Sequence, residues 1–175
     1  MKNRKLSKLL VFSLVTIIAL SGCKKDDGAI SERVTIYDVP AVTTTIDPAG
    51  SQFIAFSSMA TFSGKFKMDL YFPGTTPPTK VDIVVRKTNG TTITNTNVKV
   101  YKADITSLPA NHTVTAAEIV SLFGVPIALN DNYDFAPDIY VGTRKFEAFP
   151  AVGTGTGSGV IAMPLFKEFA RFKAQ

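Results

Sequence analysis

The chain has 175 residues, of which 45% are hydrophobic, 19% charged and 10% aromatic. This composition suits one globular domain and excludes a disordered or collagen-like chain. Because the chain has one cysteine and one histidine, an internal disulfide framework is impossible and a Cys/His zinc site is nearly excluded. We therefore expect no cofactor.

The formal net charge of +5 comes mostly from the first 22 residues. This stretch contains four basic residues and no acidic one: Lys2, Arg4, Lys5 and Lys8. Without it, the chain has 15 basic and 14 acidic residues, a net charge of +1. A nearly neutral chain is not attracted strongly to nucleic acid, so we expect no nucleic-acid partner.

Residues 1–22 have the pattern of a signal peptide. A basic segment is followed by the apolar stretch 9–20, which is 12 residues long and too short to span a bilayer as a helix. The next residues, Leu20-Ser21-Gly22-Cys23, resemble a bacterial lipobox. The resemblance implies cleavage between Gly22 and Cys23, and acyl chains on the cysteine that hold the protein to a membrane. The alternative is an ordinary secretory signal followed by an incidental cysteine.

Residues 23–33 are interpreted as a lipidated flexible tether. The sequence Lys24-Lys25-Asp26-Asp27 resembles the export signal of Bacteroidetes-type surface lipoproteins. We therefore expect an outer-membrane lipoprotein exposed at the cell surface. The alternative is a solvated linker on a protein that faces the periplasm. Residues 28–31 contain no apolar run, so the tether by itself predicts a domain that stands away from the membrane.

Residues 34–175 are expected to form a single β-rich domain. Thr and Val dominate this part, alternation with a period of two recurs, and turn residues separate the segments. The predicted strands are Val34–Tyr37, Val42–Ile46, Gln52–Phe56, Gly64–Phe72, Val81–Lys87, Asn97–Ala103, Pro126–Leu129, Asp134–Val141, Lys145–Phe149 and Val160–Met163.

One short helix is predicted between the strands. Thr115-Ala116-Ala117-Glu118 is a capping box, and Ile119, Leu122 and Phe123 then form one apolar stripe that ends at Gly124. Two turns of helix are not stable alone in water, so the helix must pack on the sheets.

The last two segments of the chain have different characters. Residues 153–159 alternate Gly with Thr or Ser and are predicted to form a Gly-rich loop. Residues 164–175 carry Phe166, Phe169 and Phe172 among basic residues. We favour a closing strand or turn that places these rings in the core. The alternative is a basic amphipathic helix on a membrane.

These elements predict an all-β fold with one short helix, an immunoglobulin-like antiparallel sandwich that follows the signal peptide. The strand pattern over residues 34–149 resembles the Ig-like domains of SusE-like lipoproteins, which are encoded beside glycan-uptake porins. The resemblance implies a non-catalytic accessory role with a glycan or an outer-membrane uptake protein as partner. The alternative is a structural or adhesive protein that binds another envelope protein.

The sequence carries no pattern of catalytic groups that is typical of an enzyme. The Gly-rich residues 153–159 lack the Lys of a phosphate-binding loop, and His112 is expected to be a solvated loop residue. We therefore expect no catalytic residues.

Two weak candidate sites remain. Asn130, Asn132 and Asp134 alternate as calcium ligands do, but no Gly or distant acid completes an EF-hand, and a polar hairpin turn is the favoured interpretation. Four tyrosines could stack on sugars: Tyr71, Tyr101, Tyr133 and Tyr140. We expect Tyr101 to face solvent most, because Val98 and Val100 suggest that the other face of its strand is buried. The alternative is that all four are half-buried sheet residues.

Overall fold

The structure is a computed structural model that describes residues 39–90, 96–150 and 169–175. The predicted strands Val34–Tyr37 and Val160–Met163, the loop 153–159, and Phe166 lie outside the described residues. Residues 1–33, with the predicted signal peptide, the lipobox-like motif and the predicted tether, also lie outside them. From Val39 onward the chain forms one compact unit.

The described residues form eight strands, one α-helix and one 3-10 helix. The strands are β1 (Val42–Ile46), β2 (Ser63–Leu70), β3 (Lys80–Asn89), β4 (Val98–Ile105), β5 (Ala110–Thr115), β6 (Asp131–Val141), β7 (Arg144–Phe146) and β8 (Ala170–Lys173). The helix α1 is Ala116–Phe123, and the 3-10 helix is Phe56–Thr61. No helix within these described ranges is both long and apolar enough to cross a membrane.

The strands form two antiparallel sheets, which confirms the predicted all-β sandwich. One sheet has the order β1-β2-β5; the other has the order β4-β3-β6-β7, and β8 also pairs with β6. The two sheets enclose the core between them, as the layers of a β-sandwich do. A parallel bridge between Ile54 and Ala174 joins the β1–β2 connection to the last strand.

Aromatic residues fill the space between the sheets. Phe66 of β2 and Phe135 of β6 are 1% and 0% exposed, and their ring centroids lie 5.2 Å apart. Phe172 of β8 lies 5.9 Å from Phe135. Because Phe66 and Phe135 belong to different sheets, the contact between their rings joins the two sheets.

Helix α1 is as predicted. Thr115 Oγ1 accepts a hydrogen bond from the Glu118 amide, and the Glu118 carboxylate accepts one from the Thr115 amide. Gly124 ends the helix in the left-handed conformation, with φ of 69°. Ile119 is buried in the main core, against which Leu122 and Phe123 also pack.

Three predicted elements are wrong. Residues 126–129 are not a strand, and residues 52–56 contribute only the single bridge at Ile54. Residues 131–134 are not a turn, because β6 begins at Asp131. Backbone groups beside these segments form hydrogen bonds with residues 173 and 174 instead. The Asn130 amide donates to the Ala174 carbonyl, and the Ile54 amide donates to the Lys173 carbonyl.

Residues 169–175 support the predicted closing strand. In β8, Ala170 and Phe172 are buried, whereas Arg171 and Lys173, which alternate with them, are less buried. Phe172 is fully buried in the core. The alternative, an amphipathic helix, is therefore wrong for this part of residues 164–175.

Candidate functional site

The outer face of the five-stranded sheet is where the structure departs from a simple sandwich. Strands β7 and β8 both pair with β6, at residues 139–141 and 132–135 respectively. In the sequence, residues 147–169 are an insertion between two strands that pair with the same strand, β6. The described ends of this insertion leave the sheet edge and pack on its outer face.

A second, smaller apolar cluster covers that face. Val84 of β3, Ala136 of β6 and Phe149 of the insertion are at most 5% exposed. Val98, Ala148 and Phe169 pack against them. This covering explains why β3 is buried on both faces from Val81 to Arg86, although a simple sandwich would leave one face in water.

A buried ionic network lies beneath the insertion. Arg86 of β3 and Asp134 of β6 are cross-strand neighbours, and their side chains are 1% and 0% exposed. Arg86 Nη2 donates to Asp134 Oδ2 at 2.8 Å. Arg171 of β8 donates to both carboxylate oxygens, at 2.6 Å from Nε to Oδ1 and 2.9 Å from Nη2 to Oδ2. This hydrogen bonding to Asp134 raises the pKa of Arg171.

Two phenylalanine rings of the insertion stack on these guanidinium groups. The Arg86 guanidinium carbon lies 4.2 Å from the centre of the Phe149 ring. The Arg171 guanidinium carbon lies 5.1 Å from the centre of the Phe169 ring. The negative face of an aromatic ring attracts a cation at this range. The network therefore fastens both ends of the insertion to the sheet.

A groove of about 270 Å³ opens beside this insertion. Its floor is Val84 and Phe149, and one wall is Val98, Lys99 and Val100 of the edge strand β4. Val100 is 52% exposed, so the groove presents apolar surface to solvent.

The opposite wall of the groove is charged and internally paired. Lys145 Nζ lies 2.8 Å from Asp138 Oδ2 and 3.3 Å from Glu147 Oε1. Asp138 Oδ1 also accepts a hydrogen bond from the Ala148 amide at 2.8 Å. The hydrogen bond with Asp138 raises the pKa of Lys145. This wall therefore holds the start of the insertion in place, and the apolar surface is the part open to a ligand.

The structure does not bring the four candidate tyrosines together as a sugar platform. Tyr133 is fully buried, and its hydroxyl donates to Asp131 Oδ2 at 3.1 Å. Tyr140 is half-buried with the Lys80 ammonium 4.3 Å from its ring centre. Tyr71 is half-buried and lies edge-on to Phe72.

The prediction that Tyr101 faces solvent is wrong. Its ring packs against Phe135 at 5.4 Å, and its hydroxyl donates to the Thr113 carbonyl at 2.9 Å. Burial raises the pKa of this phenol, and the Glu118 carboxylate raises it further. Val98 and Val100 lie on the outer face of β4, and the predicted alternation does not continue along the strand, because its pairing with β3 shifts register twice between Val100 and Ile105. Alternation separates two faces; only the second sheet shows which one is inside.

The weak calcium candidates are engaged elsewhere. Both oxygens of Asp134 accept hydrogen bonds from the two arginines. Asn132 Nδ2 donates to the Gly90 carbonyl at 3.1 Å, and Asn130 adopts a positive φ of 65° before β6. The described ranges contain no cluster of three His, Cys, Asp or Glu side chains that could hold a metal ion.

The single histidine is a strand residue, so the prediction of a solvated loop residue is wrong. His112 lies in β5, half-buried, with its ring 5.5 Å from that of Phe66. Burial lowers its pKa, and the positive charge of Lys102 lowers it further. Both effects favour the neutral form of the imidazole.

The sequence contains one signal for the outer-face site. The alternate β3 positions Asp82, Val84 and Arg86 place charges and an apolar residue on one face. A strand face in contact with water does not need an apolar residue, so Val84 is the signal that this face is covered.

Comparisons of the chain with protein families, with curated proteins and with solved structures give no match.

Proposed function

We propose that this protein is a lipid-anchored, non-catalytic binding module of a bacterial outer membrane, exposed at the cell surface. The observation that carries the anchor is the lipobox-like Leu20-Ser21-Gly22-Cys23 behind a short apolar segment. The charged residues Lys24 to Asp27 support surface exposure, with the periplasmic face as the alternative.

The outer-face groove is the proposed binding surface. It is concave, about 270 Å³ in volume, and combines an apolar floor with charged groups at one side. Its walls are held by the ion pairs of Lys145 and by the packing of Phe149. Such a preformed site loses little conformational freedom on binding.

Two classes of ligand compete for this groove. The resemblance to SusE-like lipoproteins favours a glycan. The lining favours a partner envelope protein, because its aromatic ring, Phe149, is 5% exposed and therefore offers little surface for stacking on a sugar. The edge strand β4 beside the groove adds backbone groups to which an extended chain could bind.

Replacement of Cys23 by Ala is expected to abolish both labelling by radioactive palmitate and membrane association, because the thiol is the proposed site of acylation. The matched control is the double variant Asp26→Ala, Asp27→Ala, which leaves the lipobox intact and should keep its label.

Surface exposure is tested by treating intact cells of the same strains, in the native type of host, with proteinase K. We expect wild type to be shaved and the double variant to be protected. Equal labelling of the Cys23 variant contradicts the anchor; protection of wild type contradicts surface exposure.

Replacement of Val100 by Asp is expected to weaken ligand binding by about tenfold or more, since tenfold corresponds to about 1.4 kcal/mol and burying an unpaired carboxylate costs more than that. The control is Thr45→Asp, at an exposed position of the other sheet. Binding is measured on a glycan array and by co-purification with outer-membrane proteins.

The two measurements separate the ligand classes. Glycan binding that Val100→Asp removes supports the accessory role, and groove-dependent co-purification without glycan binding supports the adhesive role. Binding that is equal in the two variants contradicts the groove as the site.

A further inference from the structure

One end of the sandwich carries an exposed apolar tip at the point where the chain enters the domain. The Tyr71 amide donates to the Ala41 carbonyl at 2.9 Å, so the entering residues lie beside the β2–β3 loop. Phe72, the next residue, is 56% exposed. The Thr79 amide donates to the Tyr140 carbonyl at 2.8 Å, which brings the β6–β7 turn with its exposed Val141 to the same end. We name Tyr71, Phe72 and Val141 the apolar tip.

The loop holds Phe72 outward in a fixed geometry. Phe72-Pro73-Gly74-Thr75 has the sequence pattern of a type II turn, in which proline takes the second position and glycine the third. Gly74 has a φ of 87°, and both the amide and the hydroxyl of Thr75 donate to the Phe72 carbonyl, at 3.3 and 2.9 Å. The Tyr71 ring packs edge-on against Phe72 at 4.7 Å. The exposed ring is therefore part of a rigid turn.

The loop from Tyr71 to Thr79 contains no charged residue. An uncharged loop can enter the headgroup region of a bilayer without the cost of desolvating an ion. Aromatic rings with one polar end, such as that of Tyr71, favour the boundary between water and lipid. The tip therefore has the chemistry of a lipid-surface contact.

We propose that the apolar tip rests on the surface of the bilayer to which Cys23 is anchored. This inference depends on the proposed lipidation. Residues 24–38 lie between the anchor and the domain and span about 50 Å at most when extended. Such a tether keeps the tip at a high effective concentration near the bilayer, so that a weak interfacial affinity is enough for contact. The solvated tether alone predicts a domain that stands away from the membrane. With the apolar tip, we expect the domain to contact the membrane instead.

The absence of tryptophan from the sequence makes a direct test possible. Phe72→Trp places a single tryptophan, which can be excited selectively, in the tip. The matched control is Phe56→Trp, at a position that is 45% exposed. Strand β2 runs from Ser63 to Leu70, about 25 Å for eight residues, and the tip follows Leu70. Phe56 lies before Ser63, at the opposite end of this strand. Both substitutions exchange one exposed aromatic ring for another, and circular dichroism verifies that the fold is kept.

The full-length mature lipoproteins are reconstituted into phosphatidylcholine vesicles with brominated acyl chains. We expect the fluorescence of the Phe72→Trp protein to shift to the blue and to lose intensity by bromine quenching. The fluorescence of the Phe56→Trp protein should stay that of a solvated indole ring.

Two results would overturn the proposal, and they are distinguishable. If the Phe72→Trp protein is anchored but its fluorescence is quenched no more than that of the Phe56→Trp control, the tip does not touch lipid and is available to a protein partner. If mass spectrometry shows no acyl chain on Cys23, the anchor itself is refuted and the tip proposal with it.

Discussion

Replacement of Asp134 by Asn is expected to lower the free energy of unfolding by about 3–5 kcal/mol, the usual cost of removing one partner from a buried ion pair. The Asp134 carboxylate, 0% exposed, pairs with Arg86 and Arg171 together. Without it, both guanidinium groups lose their shared counter-charge beneath the insertion. Urea unfolding followed by circular dichroism gives the free energy.

Two further variants identify the cause of this loss. Asp69→Asn removes an acid of the same type from a surface pair with Lys67; the lysine and aspartate side chains of that pair are 45% and 39% exposed. This variant should cost at most about 1 kcal/mol. Arg171→Met leaves the pair of Arg86 and Asp134 intact and should cost less than Asp134→Asn. Equal losses for the two aspartate variants would show that burial of the network contributes nothing.

Replacement of Phe135 by Ala is expected to lower the free energy of unfolding by about 3–5 kcal/mol. This ring is fully buried and contacts Phe66, Phe172 and Tyr101 at centroid distances of 5.2, 5.9 and 5.4 Å. It therefore joins both sheets, and the cavity left behind cannot collapse without moving one sheet toward the other. A domain of this size has a total stability of about 5–15 kcal/mol, so the variant loses a large share of it.

The control for this prediction is Phe72→Ala. The same side chain is removed from a site that is 56% exposed, where the expected change is within about 0.5 kcal/mol. A loss below about 1 kcal/mol in Phe135→Ala would contradict the bridging role of the aromatic contact.

The local elements were predictable because their signals are local. The capping box that starts α1 at Thr115 involves residues three positions apart. The alternation along Gly64–Phe72 separates Phe66 and Met68 from Lys65 and Lys67, as β2 shows. The turn residues after each strand then predicted an antiparallel sandwich, which the two sheets confirm.

The sequence by itself therefore determined the fold class, the position of the helix and the lipobox-like pattern at Cys23. Only the tertiary structure decided which face of each strand is inside, because β4 carries Val98 and Val100 on its outer face. It alone paired Arg86 with Asp134, 48 residues away, and so placed one of the weak calcium candidates in an ion pair. The groove and the apolar tip arise from segments that are distant in the chain, and the spacing of residues along a sequence carries no information about contacts of that range.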